Sequence, residues 1–343
     1  MGSSFRVLTA CLLAILLGML VAGVAFAQPG RLIVGPGESI QKAVDAAERG
    51  DTIIVRGTHR ESVVIRKDGI KLLGARGAEL RPPSRPEESC PPTGFCVLGS
   101  NSERVQNVSI TNFTVRNFGA FGIFAFRAQD ANFTNNRAYN NGEYGIAAFS
   151  STGTRVISNV TANDGEAGIY IGDSRRANAT VSDNETYGNA LGIFVRNALG
   201  GSISANNIHN NCVGVLFLAD APGPAGEFKV RGNTVKNNTR SCPASGEAPA
   251  FSGIGIALWG ARDVELQGND ILGNVPSGPS DLHPGGVVLV RGFGGTPPRD
   301  NSVVGNTILR NRPDIFWDKS GSGNRFVANN CKTSKPGGLC ENR

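Results

Sequence analysis

The stretch Leu191–Arg196 reads LGIFVR, and near-copies recur along the chain: FGIFAF at 121–126, YGIAAF at 144–149, AGIYIG at 167–172, VGVLFL at 213–218, IGIALW at 254–259 and GGVVLV at 285–290. Each begins on an apolar or aromatic residue or a glycine, passes through a glycine and continues as branched and aromatic residues, which is strand composition. Aligned on Gly122, Gly145, Gly168, Gly192 and Gly214, the spacings are 23, 23, 24 and 22 residues. A near-constant period in this range is the signature of a solenoid, whose repeats bury their apolar sides only against their neighbours. Copies at Gly255 and Gly286, and a last one with Asp314 in the glycine position, are spaced more widely, so loops are inserted there.

A second marker keeps step. Asn112, Asn136, Asn159, Asn184, Asn207, Asn233, Asn269, Asn306 and Asn330 each fall between two short strands. Asparagine tolerates left-handed backbone and hydrogen-bonds nearby main chain. Stacked coil on coil, such residues are expected to form a ladder that satisfies turn amides. RVISNVTANDGEAGIYIGDS (155–174) then reads as strand, Asn turn, strand, short loop, Gly-Ile strand, loop: one three-strand coil. Gly 46 and only 18% charged residues agree with a turn-dense, all-β chain.

This pattern resembles the right-handed parallel β-helix family, the pectin-lyase-like fold with its generic parallel β-helix repeats, over essentially residues 31–343. The resemblance implies the fold class: an all-β, single-stranded right-handed parallel β-helix of three-strand coils. It says little of activity, because the repeat encodes coil geometry. The opening segment agrees. SIQKAVDAAERG (39–50) reads as a short amphipathic helix, N-capped by Ser39 and ended by Gly50, with Ile40, Ala43, Val44 and Ala47 on one face. It would plug the raw apolar end of the first coil, with residues 324–343 as the other cap.

Strand alternation sorts the repeats into columns. Ile123, Ile146, Ile169, Ile193, Val215, Ile256, Val287 and Ile315 point inward, as do Ala125, Ala148, Ile171, Val195, Phe217, Leu258, Leu289 and Trp317. The outward columns are Phe124, Ala147, Tyr170, Phe194, Leu216, Ala257, Val288, Phe316, and Phe126, Phe149, Gly172, Arg196, Leu218, Trp259, Val290, Asp318. A solvated face would be polar. This one is apolar, so it is covered by the protein's own loops, or it binds a glycan, a second copy or a protein partner.

Residues 1–27 read as a secretory signal peptide: Arg6, an apolar run Leu12–Val24 and the small-x-small site Ala25-Phe26-Ala27. A β-helix domain over 28–343 follows, secreted, extracellular or in the periplasmic or cell-wall space, with no membrane association after signal removal. The net charge of +6 falls to +5 without that segment, which carries one Arg and no acid, and gives no nucleic-acid signal. Cys11 leaves with the signal, and the six remaining cysteines are an even set that an exported chain would oxidise. Sequence alone permits any pairing. The solenoid favours neighbours, hence Cys90–Cys96, Cys212–Cys242 and Cys331–Cys340.

The Gly-Ile strand resembles the sheet that floors the substrate groove of this fold. The largest insertions, 238–253, 274–285 and 291–302, lie beside it, so the groove is expected near Trp259. Tyr170, Phe194, Trp259, Asp173 and Asp318 are the candidate substrate-binding residues, and Arg196, His283, Arg291 and Asp220 the candidate catalytic ones. A lyase or epimerase acting on uronic acids needs a cation for the carboxylate, a base for the C5 proton and an acid for the leaving oxygen. Arg196 or Arg291 fits the first role and His283 the second. Asp173 and Asp220 lie two coils apart, roughly 10 Å at the spacing of paired strands, with different offsets, which disfavours a retaining glycosidase pair. The calcium-and-Asp cluster of the family's lyases, the adjacent Asp pair of its hydrolases and the Asp-Pro-His string of its alginate epimerases are missing; Asp281-Leu282-His283 is a loose echo of the last.

No cofactor is implied. A copper-handling role is known among relatives with this repeat, but both methionines, Met1 and Met19, leave with the signal, His59, His209 and His283 are scattered, and the cysteines are expected to be oxidised. Calcium through oxygen ligands stays open. Seven Asn-x-Ser/Thr sequons, starting at Asn107, Asn112, Asn132, Asn159, Asn178, Asn184 and Asn237, follow from Asn- and Thr-rich turns. The functional expectation is a secreted or wall-facing protein that binds, and in the enzymatic reading processes, a polysaccharide as a lyase, epimerase or hydrolase. The alternative is a non-enzymatic surface or adhesion scaffold using the apolar strip as a protein interface.

Overall fold

A computed structural model describes residues 30–85, 90–220, 223–246 and 249–341; the expected signal peptide lies outside them. The chain winds into a right-handed parallel β-helix with three faces. Every pairing between successive coils is parallel; a two-stranded pairing in an inserted loop, Ser241–Cys242 with Phe251–Ser252, is antiparallel. One face is an eleven-stranded sheet. The other two are joined into a single 22-stranded sheet, because the strand Leu191–Ser204 runs through the corner between them without a turn. We call the face built on the Gly-Ile strands the floor sheet.

The register of the floor sheet follows the glycine alignment. Ile123, Ile146, Ile169, Ile193, Val215, Ile256, Val287 and Ile315 pair in succession and are fully buried. Trp317, the last of the second inward column, is only partly buried against the core. The repeated glycine has a steric cause. A Cβ at Gly122 would stand 2.6 Å from the Gly145 carbonyl oxygen, so the coils close to strand-pairing distance only where that carbon is missing.

Asparagine ladders hold the corners, with a correction to the expected register. Asn136, Asn159, Asn184, Asn233, Asn269 and Asn306 stand in the ladder, but Asn206 and Asn329 take the places expected of Asn207 and Asn330. Asn112 is not a rung: its φ is 66°, and Phe113 donates its N–H to Asn136 at 3.1 Å. The two roles assigned to one residue belong to neighbours. The residue before each of these rungs adopts the left-handed backbone, at Asn135, Ser158, Asp183, Ala205, Gly232, Gly268, Gly305 and Ala328. The rung itself accepts through Oδ1 from the preceding coil and donates through Nδ2 to the next. A second ladder, Asn141, Asp164, Asn189, Asn211, Asn238, Asn274 and Asn311, ends on Asp314.

The N-terminal helix spans Ile40–Ala46, shorter than expected. Ser39 caps its start by accepting from Lys42 N–H, and Ile40 and Val44 are buried against the first coil. Its end is set at Ala47, where Lys67 Nζ donates to the Asp45 and Ala47 carbonyls, and Gly50 forms a later turn at φ 98°. The segment from Asn324 makes one more coil through Arg325–Val327, Asn330–Cys331 and Ser334–Lys335, and Leu339 and Cys340 pack on the core. All three expected disulfides form: Cys90–Cys96, Cys212–Cys242 and Cys331–Cys340. No helix among the described residues is long and apolar enough to cross a membrane.

Asn184 receives the Asn159 N–H at 2.9 Å and donates to Asn206 Oδ1 and the Val156 carbonyl, each at 2.9 Å. Asn184→Ala strands buried donors and acceptors, and is expected to cost about 2–4 kcal/mol at roughly 1–3 for each unsatisfied group. Asn207→Ala, half-buried beside the next rung Asn206, is expected to stay within about 0.5 kcal/mol. Urea unfolding of both variants measures the contrast.

Candidate functional site

The outward face of the floor sheet carries a second apolar cluster, separate from the core inside the coils. Phe124, Tyr170, Phe194, Leu216, Ala257 and Val288 form its central column and are buried. A third outward column precedes the glycines: Phe121, Tyr144, Ala167, Leu191, Val213 and Ile254. In the C-terminal half, inserted segments close over the strip. Phe251 meets Trp259 edge-on at 6.3 Å between ring centres, and Phe293, itself 41% exposed, lies over it at 4.2 Å. Leu282 and Cys212 join the same cluster. Trp259 is therefore a shielded floor residue, 9% exposed.

Polar chemistry gathers where the apolar columns are interrupted. Gly172 stands in the column held elsewhere by Phe126, Phe149, Arg196 and Leu218. The Tyr170 ring folds across it, so that an added Cβ would lie 2.1 Å from Tyr170 Oη. That fold-over carries the hydroxyl to Asp173, to whose Oδ2 it donates at 3.3 Å. On the next coil Arg196 donates from Nε and Nη2 to Asp220 Oδ2 at 3.1 and 2.5 Å, and Asp220 N–H donates to Asn197 Oδ1 at 2.9 Å. The Arg196 side chain is 41% exposed and that of Asp220 24%.

Two residues that sequence reading missed complete the cluster. Glu166 enters the coil just ahead of the Gly-Ile strand, facing the Tyr144 hydroxyl, and Tyr144 stacks on Tyr170 at 4.7 Å. Burial pushes the Glu166 carboxyl above the usual carboxylate range; Tyr144 and Arg196 offset part of that rise, and Glu143 adds to it. Burial likewise raises both tyrosine hydroxyls, Tyr144 next to Glu166 and Tyr170 next to Asp173. For Arg196, burial opposes the charge, but Asp220, Tyr170 and Asp173 outweigh it and raise the guanidinium pKa. The cluster is one cation among carboxylates and two tyrosines, with a carboxyl that keeps its proton to higher pH than usual.

The other expected residues lie elsewhere. Arg291 N–H donates to Asp318 Oδ2 at 2.9 Å and its Nη1 to the Gly295 carbonyl at 2.7 Å, which ties a loop. It follows Val290, three coils from Arg196, about 14 Å along the axis. His283 stacks on Phe316 at 3.5 Å, and Phe316 is four coils from Phe194, about 19 Å. Arg196 and His283 therefore do not meet in one cluster. Near the N-terminal coils a concavity of about 1010 Å³ is lined by Arg49, Arg66, Lys67, Asp68, Glu103 and Arg104. It lies four coils from Arg196 along the column Leu98, Phe126, Phe149, Gly172, Arg196.

Comparison with known proteins places this architecture. The family model described as periplasmic copper-binding protein (NosD) matches residues 44–247, more than half of the chain, and the chain belongs to that family. A model for the right-handed β-helix region matches residues 178–341. Among curated proteins none matches. Similar solved structures include the A-module of the Azotobacter vinelandii mannuronan C-5 epimerase AlgE6, at 19% identity and TM-score 0.54 over 86% of each chain. The periplasmic alginate epimerase AlgG aligns at 15% identity and TM-score 0.54, over 89% of this chain and 71% of that one. DFA-IIIase from Arthrobacter chlorophenolicus A6 aligns at 13% identity and TM-score 0.58, over 89% and 92%. At such identities the likeness shows the fold.

The donor set does not fit a copper site. Soft or imidazole ligands are needed, and the six described cysteines are all in disulfides. His59 is held between the Glu38 and Arg56 carbonyls, His209 bonds Glu185, and His283 bonds the Pro284 carbonyl. Among the described residues no three His, Cys, Asp or Glu side chains converge on one point.

The Tyr170–Gly172 contact gives a direct test of the cluster's construction. Gly172→Ala is expected to unseat the Tyr170 ring, change the near-ultraviolet circular dichroism of the tyrosines, and destabilise the fold by about 1–3 kcal/mol, as overpacking does. Gly337→Ala, where an added carbon meets nothing within 4 Å, is expected to leave both readouts unchanged.

Proposed function

We propose that this member of the NosD family is an extracytoplasmic polysaccharide-processing protein, and that it acts on an acidic glycan by moving a proton beside the sugar carboxylate, as an epimerase or lyase does. The observation that carries the reading is the joining of Arg196, Tyr170–Asp173 and Tyr144–Glu166 in one cluster on the outward side of the floor sheet. The three disulfides agree with an oxidising compartment. Two of the similar solved structures carry mannuronan or alginate in their names, which supports a glycan in general and not an acidic one in particular.

The chemistry assigns each group a role. Removing the C5 proton of a uronosyl residue drives negative charge onto the carboxylate, and a fixed cation beside it lowers that barrier. Arg196 is held by Asp220 through Nε and Nη2, and Nη1 has no hydrogen-bond partner among the described residues, so this edge is available to a carboxylate. Tyr170 and Tyr144 each pair a hydroxyl with a carboxyl group, one with Asp173 and the other with Glu166. One such pair can take the C5 proton. The other can return a proton to C5, which inverts it, or give one to the leaving oxygen, which breaks the chain.

The test is a screen of the purified protein on uronate-containing and neutral polysaccharides, with and without calcium. It follows unsaturated product, reducing ends and solvent exchange at C5 together. Tyr170→Phe and Arg196→Met are each expected to lower the turnover of an acidic glycan at least about 100-fold, the usual scale for losing a proton-transfer or charge-stabilising group. The native pH–rate profile should show a limb above the ordinary glutamate range, and Glu166→Gln should lose it. Silence in all three readouts, with no change in Trp259 or Trp317 fluorescence on adding any glycan, would overturn the enzymatic reading in favour of a scaffold, whose protein interface would then lie away from the part of the apolar strip closed by Phe251, Leu282 and Phe293.

A further inference from the structure

We propose that Asp164 is a proton-bearing rung of the second ladder, a neutral carboxylic acid standing where its neighbours carry an amide, and that its ionisation unfastens the turn that carries Glu166. In the other rungs Oδ1 accepts from the coil before, and Nδ2 donates to the next Oδ1 and, in most, to a carbonyl of the preceding coil; Asn211, for example, donates to Asn238 Oδ1 at 2.9 Å and to the Thr186 carbonyl at 3.1 Å. Asp164 Oδ1 plays the accepting part in full, receiving Asn141 N–H at 2.9 Å and Asn141 Nδ2 at 2.8 Å. Asp164 Oδ2 takes the amide nitrogen's place. It is buried with no hydrogen-bond partner, while the next rung presents Asn189 Oδ1, an acceptor already turned toward Asp164 N–H at 2.8 Å.

An ionised carboxylate would set acceptor against acceptor in a site 3% exposed. A proton on Oδ2 converts that repulsion into the donor the ladder requires, so the acid becomes an amide's isostere. The groups packed on it agree. Asn141 and Asn189 on the adjoining coils and Thr161 on its own coil are neutral, and the titratable side chains of the packed turns, Glu143 and Glu166, are both acids that cannot stabilise an anion. Burial is the largest cause holding its carboxyl well above the ordinary range, and no cation contributes. The turn that follows this rung is fastened to the same preceding coil that Asp164 holds: Asn141 donates to Asp164 Oδ1, while Gly165 N–H donates to the Asn141 carbonyl at 2.9 Å and Glu166 N–H to the Glu143 carbonyl at 2.7 Å. The inference does not rest on the glycan reading.

The linkage has a definite sign. The folded pKa lies above the unfolded one, so this rung's contribution is complete below about pH 3.9, is lost as pH rises toward the folded pKa, and is flat above it. The variant Asp164→Asn restores an amide and is expected to fold. Hydrogen exchange at the Asn141, Gly165 and Glu166 amides of both chains reads the effect. The ratio of variant to native protection should be near one at pH 4 and grow up to about tenfold per pH unit above it, the limit for one proton. The infrared difference between the two chains at pH 5, where an ordinary aspartate is already ionised, should show a neutral carboxylic-acid band belonging to the native protein. A carboxylate band in its place, or a protection ratio that does not change with pH, would overturn the proposal.

Discussion

The spacing between coils is the constraint on which everything else depends. Parallel pairing holds successive strands about 4.8 Å apart, and whatever occupies equivalent positions must stack at that distance. On the strands this selects branched and aromatic columns, with glycine where a carbonyl from the next coil comes too close. At the corners the backbone leaves its sheet and its amides lose their partners. There the asparagine side chain, with one acceptor and one donor group on the same planar amide, satisfies one coil while binding the next. An unpaired buried amide costs more than its hydrogen bond contributes, which is why the ladders run almost without interruption from Asn136 to Asn329 and from Asn141 to Asp314.

The polar cluster arises where the stacking rule is relaxed. A glycine at 172 removes one side chain from an aromatic column and lets Tyr170 lie down over the gap. An arginine at 196 stands where the neighbouring coils have glycine and leucine, and is balanced by an aspartate from the following coil. A helical or open-sheet protein would need a loop to bring such groups together. In a solenoid, departures from the pattern on adjacent coils are neighbours by construction, and the apolar columns on either side lower the local dielectric around them.

Much of this architecture could be read from the residues alone, because a period with few exceptions is a strong signal. The Gly-Ile alignment gave the inward and outward columns from Ile123 to Val290, and local pairing gave all three disulfides. The asparagines were harder. Asn206 and Asn207 are adjacent and chemically identical, and only the backbone tells which is half-exposed and which is the rung. A signal did exist: ladder residues come in pairs five apart, as in Asn136 and Asn141, Asn184 and Asn189, Asn206 and Asn211, flanking a three-residue strand. Glu166 and Tyr144 escaped because an acid just ahead of a strand and a tyrosine just ahead of a glycine look like surface and core until the coils are stacked. The grouping of Arg196 with His283 and Arg291 failed for the converse reason. Loop insertions in the C-terminal half lengthen the sequence between coils without altering which coil is which, and only counting coils gives the distance.

The strand Leu191–Ser204 turns the corner without leaving the sheet, so at this coil two faces share one uninterrupted run of backbone hydrogen bonds. At the other coils the strands of the two faces are separate elements that end on either side of this corner. Here it is a welded seam, and Arg196 grows from it. A side chain rooted at such a seam grows from backbone that is paired on both faces, so the cation at the centre of the polar cluster stands where the two faces share one strand.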